Sequence, residues 1–174
     1  MQEVTWNIIA CGSSAQLWDG TGNNIGVNDS GKWNHKLQNL LLANAPGKFE
    51  SDRLQTIINS KPDNFYSNTE AWKKYFPNMI HYKTESWNGV LIKKRGLTTM
   101  NSSPCIAMHL AWQLGATKLV LWGVDFKNHD TIKDGVLKTE LRQYRAFIHA
   151  LKDNGVETYL GAKGSALQEF VNIV

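Results

Sequence analysis

Clusters of small polar residues follow the first two apolar segments of the chain, at the points where predicted strands end. Gly12, Ser13 and Ser14 follow the first segment, and Asn28 and Asp29 follow the second. Backbone amides beside a glycine can receive a phosphate, and short polar side chains can bind ribose or phosphate oxygens. These residues are predicted to bind a nucleotide, although the same residue types also form ordinary turns.

Two further clusters lie in the second half of the chain. Ser102 and Ser103 precede a helical pattern, so their amides and hydroxyls are predicted to contribute to the same nucleotide site. Asp125 ends an apolar segment, and His129 lies in the loop beyond it. A histidine or a carboxylate can remove a proton from an attacking hydroxyl, so His129 and Asp125 are the predicted catalytic residues. A loop histidine without a role and a carboxylate that caps the next segment are the alternatives.

Several familiar sites are absent from the sequence. It contains no GxxxxGK[ST] phosphate loop, no GxGxxG followed by a ribose-binding acid, and no GxSxG nucleophile elbow. Cys11 and Cys105 have no CxxC partner, so neither zinc nor a disulfide framework is predicted, and Cys11 has no recognisable histidine partner as a nucleophile. The residues therefore predict no metal cluster.

The elements that would position these groups alternate between short apolar runs and helical patterns, which is typical of βα units and a parallel sheet. Strands are predicted at 4–10, 24–28, 37–43, 79–82, Lys118–Trp122 and 156–160. Helices are predicted from Ser51 or Asp52 to about 58, after Thr69, from Ser103 to Gly115, over 141–151 and over 164–172.

Ser103 is the predicted N-cap of the third of these helices, with Pro104 at the first helical position. His109 is predicted to lie on the helix face opposite Leu110 and Leu114. No linker or repeat divides the chain. The sequence therefore predicts one Rossmann-like α/β domain over 1–174, with three layers, a mainly parallel sheet, and a ligand site beyond the strand ends where strand order reverses.

Composition excludes several classes of protein. The chain has 174 residues, of which 42% are hydrophobic and 20% charged, so wholesale disorder is excluded. No apolar run is long enough for a membrane span, and no secretory signal is recognisable, so a cytoplasmic protein is predicted. The net charge of +4 is most concentrated at Lys93, Lys94 and Arg95. Such a cluster can bind a nucleic acid or a phosphate group, but a solvated loop is the commoner explanation.

Taken together, these segments resemble the Rossmann-like bacterial sialyltransferases of glycosyltransferase family 42 and the related hydroxymethylpterin diphosphokinase-like proteins. The best match is SSPCIAMHLAWQLGATKLVLWGVDF, residues 102–126. NIIACGSSAQL (7–17), Gly26-Val27-Asn28 and the closing VETYLGAKGSALQEF also match, in the family's order. The resemblance implies the same fold in a compact member of the family, of a size that would also suit a phage protein.

The resemblance also implies roles for particular residues. Ser13, Asn28 and Ser103 stand where the sialyltransferases bind the cytidine nucleotide of their sugar donor. Ser13 replaces an asparagine of the family, and Pro104 replaces a glycine. The family's lid with its catalytic histidine is shortened, which leaves His129 as the nearby candidate.

Three functions follow as hypotheses. The first is a glycosyltransferase-like protein that uses a nucleotide-sugar and an acceptor that the sequence does not name. The second is a diphosphokinase-like phosphoryl transferase, in which Asp125, Asp130 and Asp134 would hold Mg²⁺ against a triphosphate. The third is a non-catalytic nucleotide-binding protein. No cofactor other than that Mg²⁺ and no membrane partner are predicted.

Overall fold

A computed structural model of the protein describes residues 2–91, 96–100, 102–126 and 134–174. Over these residues the chain forms nine strands: β1 (Thr5–Ile9), β2 (Asn23–Val27), β3 (Asn39–Leu42), β4 (Asn64–Ser67), β5 (Ile80–His81), β6 (Thr84–Ser86), β7 (Leu97–Thr99), β8 (Lys118–Trp122) and β9 (Glu157–Leu160).

The described residues also form three α-helices: α1 (Ser51–Asn59), α2 (Ser103–Gln113) and α3 (Asp134–Asp153). Short 3-10 helices make many of the remaining connections, among them Ser13–Leu17 after β1 and Ser30–Trp33 after β2. None of the described helices is both long enough and apolar enough to cross a bilayer.

Seven of the strands form one sheet, in which every pair is parallel and the order is β5-β4-β3-β2-β1-β8-β9. The chain builds outward from β1 to β5 and then returns to the other side of β1 with β8. The strand order therefore reverses between β1 and β8, and ligands of open parallel sheets bind beyond the carboxyl ends at such a point. β6 and β7 pair in parallel as a separate two-stranded sheet.

The core lies on both faces of the large sheet, because neighbouring residues of a strand point to opposite sides. Ile8 belongs to one core cluster with residues of α2 and α3, whereas Ile9 belongs to the other with Ile57 of α1 and Trp72. Helices thus cover one face, and α1 with 3-10 turns covers the other. The predicted Rossmann-like α/β fold with a parallel sheet and three layers is confirmed.

Two parts of the chain differ from the sequence-based prediction. The stretch 164–172 contains only a short 3-10 helix, Ala166–Glu169, because the chain then returns to the sheet: Leu160 bridges Ile173, and the Val174 amide donates to the Leu160 carbonyl at 2.9 Å. The strands β4, β6 and β7 were not predicted; β6 and β7 have three residues each, too few to show a period.

The predicted helix N-caps are displaced by one or two residues. Ser102, not Ser103, is the N-cap of α2, and Glu50 precedes α1. His109 does not lie on an exposed face, since it is only 4% exposed. The α2 helix is buried on almost every side between the sheet and α3, and the His109 Nδ1 atom accepts a hydrogen bond from the Thr98 amide at 3.0 Å.

Candidate functional site

The end of β1 and the end of β8 meet at the point where the strand order reverses. The Ala10 amide donates to the Trp122 carbonyl at 2.8 Å, and the Gly12 amide donates to the Gly123 carbonyl at 2.9 Å. The two loops that leave these strands therefore lie side by side. This contact brings the predicted residues Gly12, Ser13 and Ser14 next to Asp125, although more than 100 residues separate them in sequence.

Asp125 is held by Ser14. The Ser14 amide donates to Asp125 Oδ2 at 3.0 Å, and the Ser14 hydroxyl donates to Oδ1 of the same carboxylate. The Gly123 amide in turn donates to the Ser14 hydroxyl oxygen at 2.9 Å. We call this arrangement the Ser14–Asp125 junction. Its polar groups satisfy one another, so they fix the two loops together and leave Asp125 poorly placed to act as a free base.

The junction requires glycine at two positions. A Cβ at Gly12 would lie 2.5 Å from both Asp125 Oδ2 and the Gly123 carbonyl oxygen. Gly123 has φ +72°, and a Cβ there would lie 2.8 Å from the Ala10 and Gly12 carbonyl oxygens. The sequence predicted Gly12 as part of the nucleotide site. In the structure, Gly12 leaves room for the carboxylate of Asp125 and also lines the cavity beside it.

A cavity of about 300 Å³ opens beside the junction, on the side of β2 and β3. We call it the Asn28 pocket, and the polar residues that line it include Asn28, Asn44, Arg53, Ser102, Ser103 and Asp125. Gly12 also lines it. The structure therefore gathers predicted residues from the ends of β1, β2 and β8 and from the start of α2 around one space.

Asn28 has two unusual features in this pocket. Its backbone has φ +52°, in the left-handed region that residues other than glycine seldom adopt. Its side-chain oxygen Oδ1 is buried and accepts no hydrogen bond within the described structure. An unpaired buried amide oxygen costs on the order of 1–3 kcal/mol. Asn28 as a residue lines the pocket, so its side-chain amide lies near any ligand bound there. Phe126, which also lines the pocket, has φ +52° as well.

The start of α2 forms another wall of the pocket, lined by Ser102, Ser103 and Pro104. Ser102 is the N-cap but its side chain accepts no capping hydrogen bond. Its hydroxyl is hydrogen-bonded to the Tyr144 hydroxyl of α3 instead. Among the described residues, no side chain is hydrogen-bonded to the first amides of α2, and amides at a helix N-terminus favour an anion.

Asp29 was predicted to contact the nucleotide, but it does not line the pocket. Its side chain is 8% exposed, and Oδ1 accepts hydrogen bonds from Arg53 Nη2 at 2.6 Å and Nε at 3.1 Å. Burial would raise the pKa of Asp29, but the hydrogen bond and charge of Arg53 outweigh burial and lower it. Asp29 is therefore ionised near neutral pH and anchors Arg53 at the rim of the pocket.

Cys11 is not placed as a nucleophile. Its Sγ lies 3.4 Å from Asp29 Oδ1 and 3.6 Å from the Val27 carbonyl oxygen. Burial, followed by the negative charge of Asp29 and the hydrogen bond to it, raises the pKa of the thiol to about 12. The thiolate that would be needed for attack is therefore scarce at neutral pH.

Ser13 lines a second, larger cavity of about 540 Å³, the Lys163 cleft, which Ser14, Lys163 and Gly164 also line. The Asn28 pocket and the Lys163 cleft share Gly12, Gly123, Asp125 and Phe126. The predicted residues thus fall into two adjoining cavities separated by the Ser14–Asp125 junction. Ser13 is not among the residues that line the Asn28 pocket.

The remaining predictions fall on residues that the structure does not describe. His129, Asp130 and the basic cluster of Lys93, Lys94 and Arg95 lie outside the described residues, as does the side chain of Asp134. Within the described ranges, no group of three or more His, Cys, Asp or Glu residues could hold a metal ion. The Mg²⁺ hypothesis therefore has no support from the described part of the chain.

Four side chains with polar groups that line the pocket were missed by the sequence analysis: Asn44, Arg53, Glu140 and Tyr144. Asn44 follows β3 as Asn28 follows β2, so the rule that selected strand-end polar residues would have found it. Arg53 lies in the first turn of α1, and its direction depends on Asp29. Tyr144 lies within α3 and carried no local signal.

Comparison with known proteins gives a fold and no family: neither a family model nor a curated protein sequence matches the chain. Solved structures of the sialyltransferase CstII from Campylobacter jejuni do match. The complex with the substrate analogue CMP-3FNeuAc has a TM-score of 0.59 at 12% identity, over 97% of this chain and 84% of that one. The complex with cytidine-5'-monophosphate has a TM-score of 0.57 at 12% identity, over 98% and 84%.

A third structure of CstII, in complex with a trisaccharide acceptor and CMP, has a TM-score of 0.56 at 15% identity, over 97% of this chain and 85% of that one. The resemblance to the sialyltransferases is thus confirmed in fold, over nearly the whole chain. At this identity the likeness concerns the fold, and function depends on the residues of the site.

Proposed function

We propose that this chain is a nucleotide-sugar-dependent, glycosyltransferase-like protein that binds its nucleotide in the Asn28 pocket. The observation that carries this proposal is the cavity at the reversal of strand order, which Asn28, Ser102 and Ser103 line. The same cavity is bounded by the start of α2, where the N-cap side chain makes no capping hydrogen bond. Solved proteins of this fold bind CMP and a CMP-sugar analogue, which supports a nucleotide as the ligand class.

Different pocket residues would contact different parts of the ligand. The Asn28 side-chain amide binds a ribose hydroxyl or an amine of the ligand. The first-turn amides of α2 after Ser102 face a phosphate, whose charge the helix N-terminus favours. The Ser14–Asp125 junction lies between the two cavities. With the nucleotide in the Asn28 pocket, the Lys163 cleft would bind the acceptor.

The reaction proposed for this site is a direct displacement. An acceptor hydroxyl attacks the anomeric carbon of the donor, and the bond from that carbon to the phosphate oxygen breaks. The nucleotide leaves with the bonding electrons, and its growing negative charge is stabilised by the α2 amides. A base accepts the hydroxyl proton. The Asp125 carboxylate already accepts two hydrogen bonds from Ser14. We therefore assign the role of base to His129 and a positioning role to Asp125.

Thermal-shift measurements test nucleotide binding. CMP, CDP, UDP, ATP and GTP are added with and without Mg²⁺, and we expect a mono- or diphosphate to raise the melting temperature without metal. Ser103→Asp places a negative charge in the first turn of α2, where it favours the helix but repels a phosphate. We expect it to lose nucleotide binding and keep its melting temperature. Ser103→Asn, of the same size and uncharged, is the matched control.

Binding of every nucleotide by Ser103→Asp as tightly as by the parent would contradict the phosphate site. Stabilisation by a triphosphate only, and only with Mg²⁺, would favour phosphoryl transfer instead.

Product formation separates a transferase from a binding protein. With a nucleotide-sugar that binds, His129→Ala should reduce turnover by about 10²–10⁴-fold while nucleotide binding stays unchanged, since proton transfer occurs only in the transition state. Asp125→Asn is measured beside it. Unchanged turnover in His129→Ala would remove His129 from the mechanism, and nucleotide binding by the parent with no turnover of any donor would make the chain a binding protein.

A further inference from the structure

Arg53 has a distinct position in the Asn28 pocket. It lies in the first turn of α1, its side chain is 46% exposed, and it faces the same cavity as Asn28 and the start of α2. Among the described residues, it is the only positively charged side chain that lines this pocket. Asp125 and Glu140 are the acidic residues of the lining, and Asp125 is engaged by Ser14.

The guanidinium group of Arg53 is fixed in place. Asp29 Oδ1 accepts from both Nε and Nη2, so one buried carboxylate oxygen holds one side of the guanidinium group. The Phe49 ring lies 5.3 Å from the guanidinium carbon and supports it from a second direction. A long side chain that is already ordered loses less entropy when it binds a ligand.

Arg53 shares its carboxylate partner with a second basic side chain. Asp29 Oδ2 lies 3.7 Å from Lys32 Nζ, while Oδ1 accepts from Arg53. These three residues together carry one net positive charge, which the negative charge of Glu50, next to the start of α1, offsets. Asp29 thus orients the guanidinium group through Nε and Nη2 and leaves Nη1 unused by that carboxylate.

We propose that Arg53 binds an anionic group of the donor, and that this contact strengthens the binding of ligands that carry that group. The inference rests on the proposed nucleotide function and names the chemistry of its ligand. The planar guanidinium group suits a phosphate or a carboxylate, because both offer oxygens that its N–H groups can reach together. The anion is either the nucleotide phosphate or the carboxylate of an acidic sugar.

Paired ligands separate these two sources. Affinities are measured by calorimetry for CMP, UMP, AMP and GMP, each beside its nucleoside, and for CMP-3FNeuAc beside its carboxyl methyl ester. Each pair differs by one anionic group. The proteins are the parent, Arg53→Met, Arg53→Lys, and Arg145→Met as the matched control. Arg145 is an exposed arginine that pairs with Glu169 and does not line the Asn28 pocket.

We expect the parent to prefer the anionic member of at least one pair, and Arg53→Met to reduce that preference by about 10- to 100-fold, as for a lost charge-assisted hydrogen bond. Arg53→Lys should restore part of it, and Arg145→Met should behave as the parent. A loss confined to the nucleotide pairs assigns Arg53 to the phosphate, and a loss confined to the sugar pair assigns it to the carboxylate.

Two outcomes contradict the inference in different ways. If the parent prefers the anionic ligands and Arg53→Met keeps every preference, Arg53 is not the anion-binding group, while the proposed function stands. If the parent binds none of the nucleotides or CMP-3FNeuAc, the proposed function fails and the role of Arg53 fails with it.

Discussion

The Ser14–Asp125 junction and the Asn28 pocket lie side by side at the carboxyl end of the sheet, but their polar groups are used differently. In the junction, the Asp125 carboxylate accepts from Ser14, and the Ser14 hydroxyl accepts from the Gly123 amide. In the pocket, the Asn28 Oδ1 atom is buried without a partner, on a backbone with φ +52°.

This difference separates residues that build the site from residues that face its ligand. A buried polar group without a partner costs free energy. The Ser14 and Asp125 side chains already bond to each other, whereas Asn28 Oδ1 has no such bond within the described structure. From this comparison we propose that Asn28 and Arg53 recognise the ligand, and that Gly12, Ser14 and Asp125 hold the loops of the site together.

The largest effect is expected from a substitution in the junction. Gly123→Ala adds a Cβ to a residue at φ +72° and places it 2.8 Å from two carbonyl oxygens. We expect the free energy of unfolding to fall by about 3 kcal/mol or more, because backbone strain and overpacking add. Urea denaturation measures the change. Gly155→Ala is the control, since Gly155 has φ +78° with open space around it, and it should lose only about 1 kcal/mol. Equal losses in the two variants would mean that close packing at the junction is unimportant.

Ser14 and Asp125 should behave as one unit. Ser14→Ala and Asp125→Asn should each lower the free energy of unfolding by about 1–3 kcal/mol, because each leaves a partner unpaired. The double variant should lose clearly less than the total of the two, as residues in contact do in a double-mutant cycle. Ser13→Ala, at the exposed neighbouring residue, should change stability by less than about 0.5 kcal/mol. Additive losses would show that the two side chains do not depend on each other.

Asn28→Gly should change affinity rather than stability. Glycine adopts φ +52° without strain and removes the unpaired buried oxygen, so the free energy of unfolding should change by less than about 1 kcal/mol. Nucleotide affinity should fall by about 1–3 kcal/mol, measured by calorimetry. Asn34→Gly is the control, because Asn34 has φ +60° outside the pocket. Unchanged nucleotide affinity in Asn28→Gly would show that the ligand does not contact the Asn28 side chain.

Alkaline pH should reveal the buried thiol of Cys11, a residue that lines the pocket. Below about pH 9 the Cys11 thiol is protonated in both the folded and the unfolded state, so its contribution to stability is complete. Between 9 and about 12 only the unfolded state loses the proton, because burial raises the pKa in the folded state. The free energy of unfolding should therefore fall by roughly 1 kcal/mol per pH unit for this thiol.

Urea denaturation at pH 8, 9 and 10 measures this slope, and Cys11→Ala should reduce it. Cys105→Ala is the matched control with a second buried thiol, since burial raises its pKa to about 12 as well. A slope in Cys11→Ala as steep as that of the parent would show that the folded protein does not retain the Cys11 proton.

The sequence by itself determined the architecture, because the pattern of apolar residues is a local property. The strand Lys118–Trp122 was predicted with the bounds that the structure has, and the helix from Ser103 ends within two residues of the predicted stop. The residues at strand ends could be chosen on the same basis. Parallel strands bring their carboxyl ends to one edge, so Gly12, Asn28, Ser103 and Asp125 were expected near one another, and they line one pocket.

Only the tertiary structure decided what each of these residues does there. The sequence offers no reason for Asp125 to differ from Asp29. In the structure, Asp125 after β8 accepts from Ser14 after β1, whereas Asp29 accepts from Arg53 of α1. Neither partner follows from local spacing. The unpaired oxygen of Asn28 likewise depends on which donors the neighbouring loops bring within reach. Hydrogen bonding acts over about 3 Å, so the use of a polar side chain depends on contacts that form only after distant segments pack together.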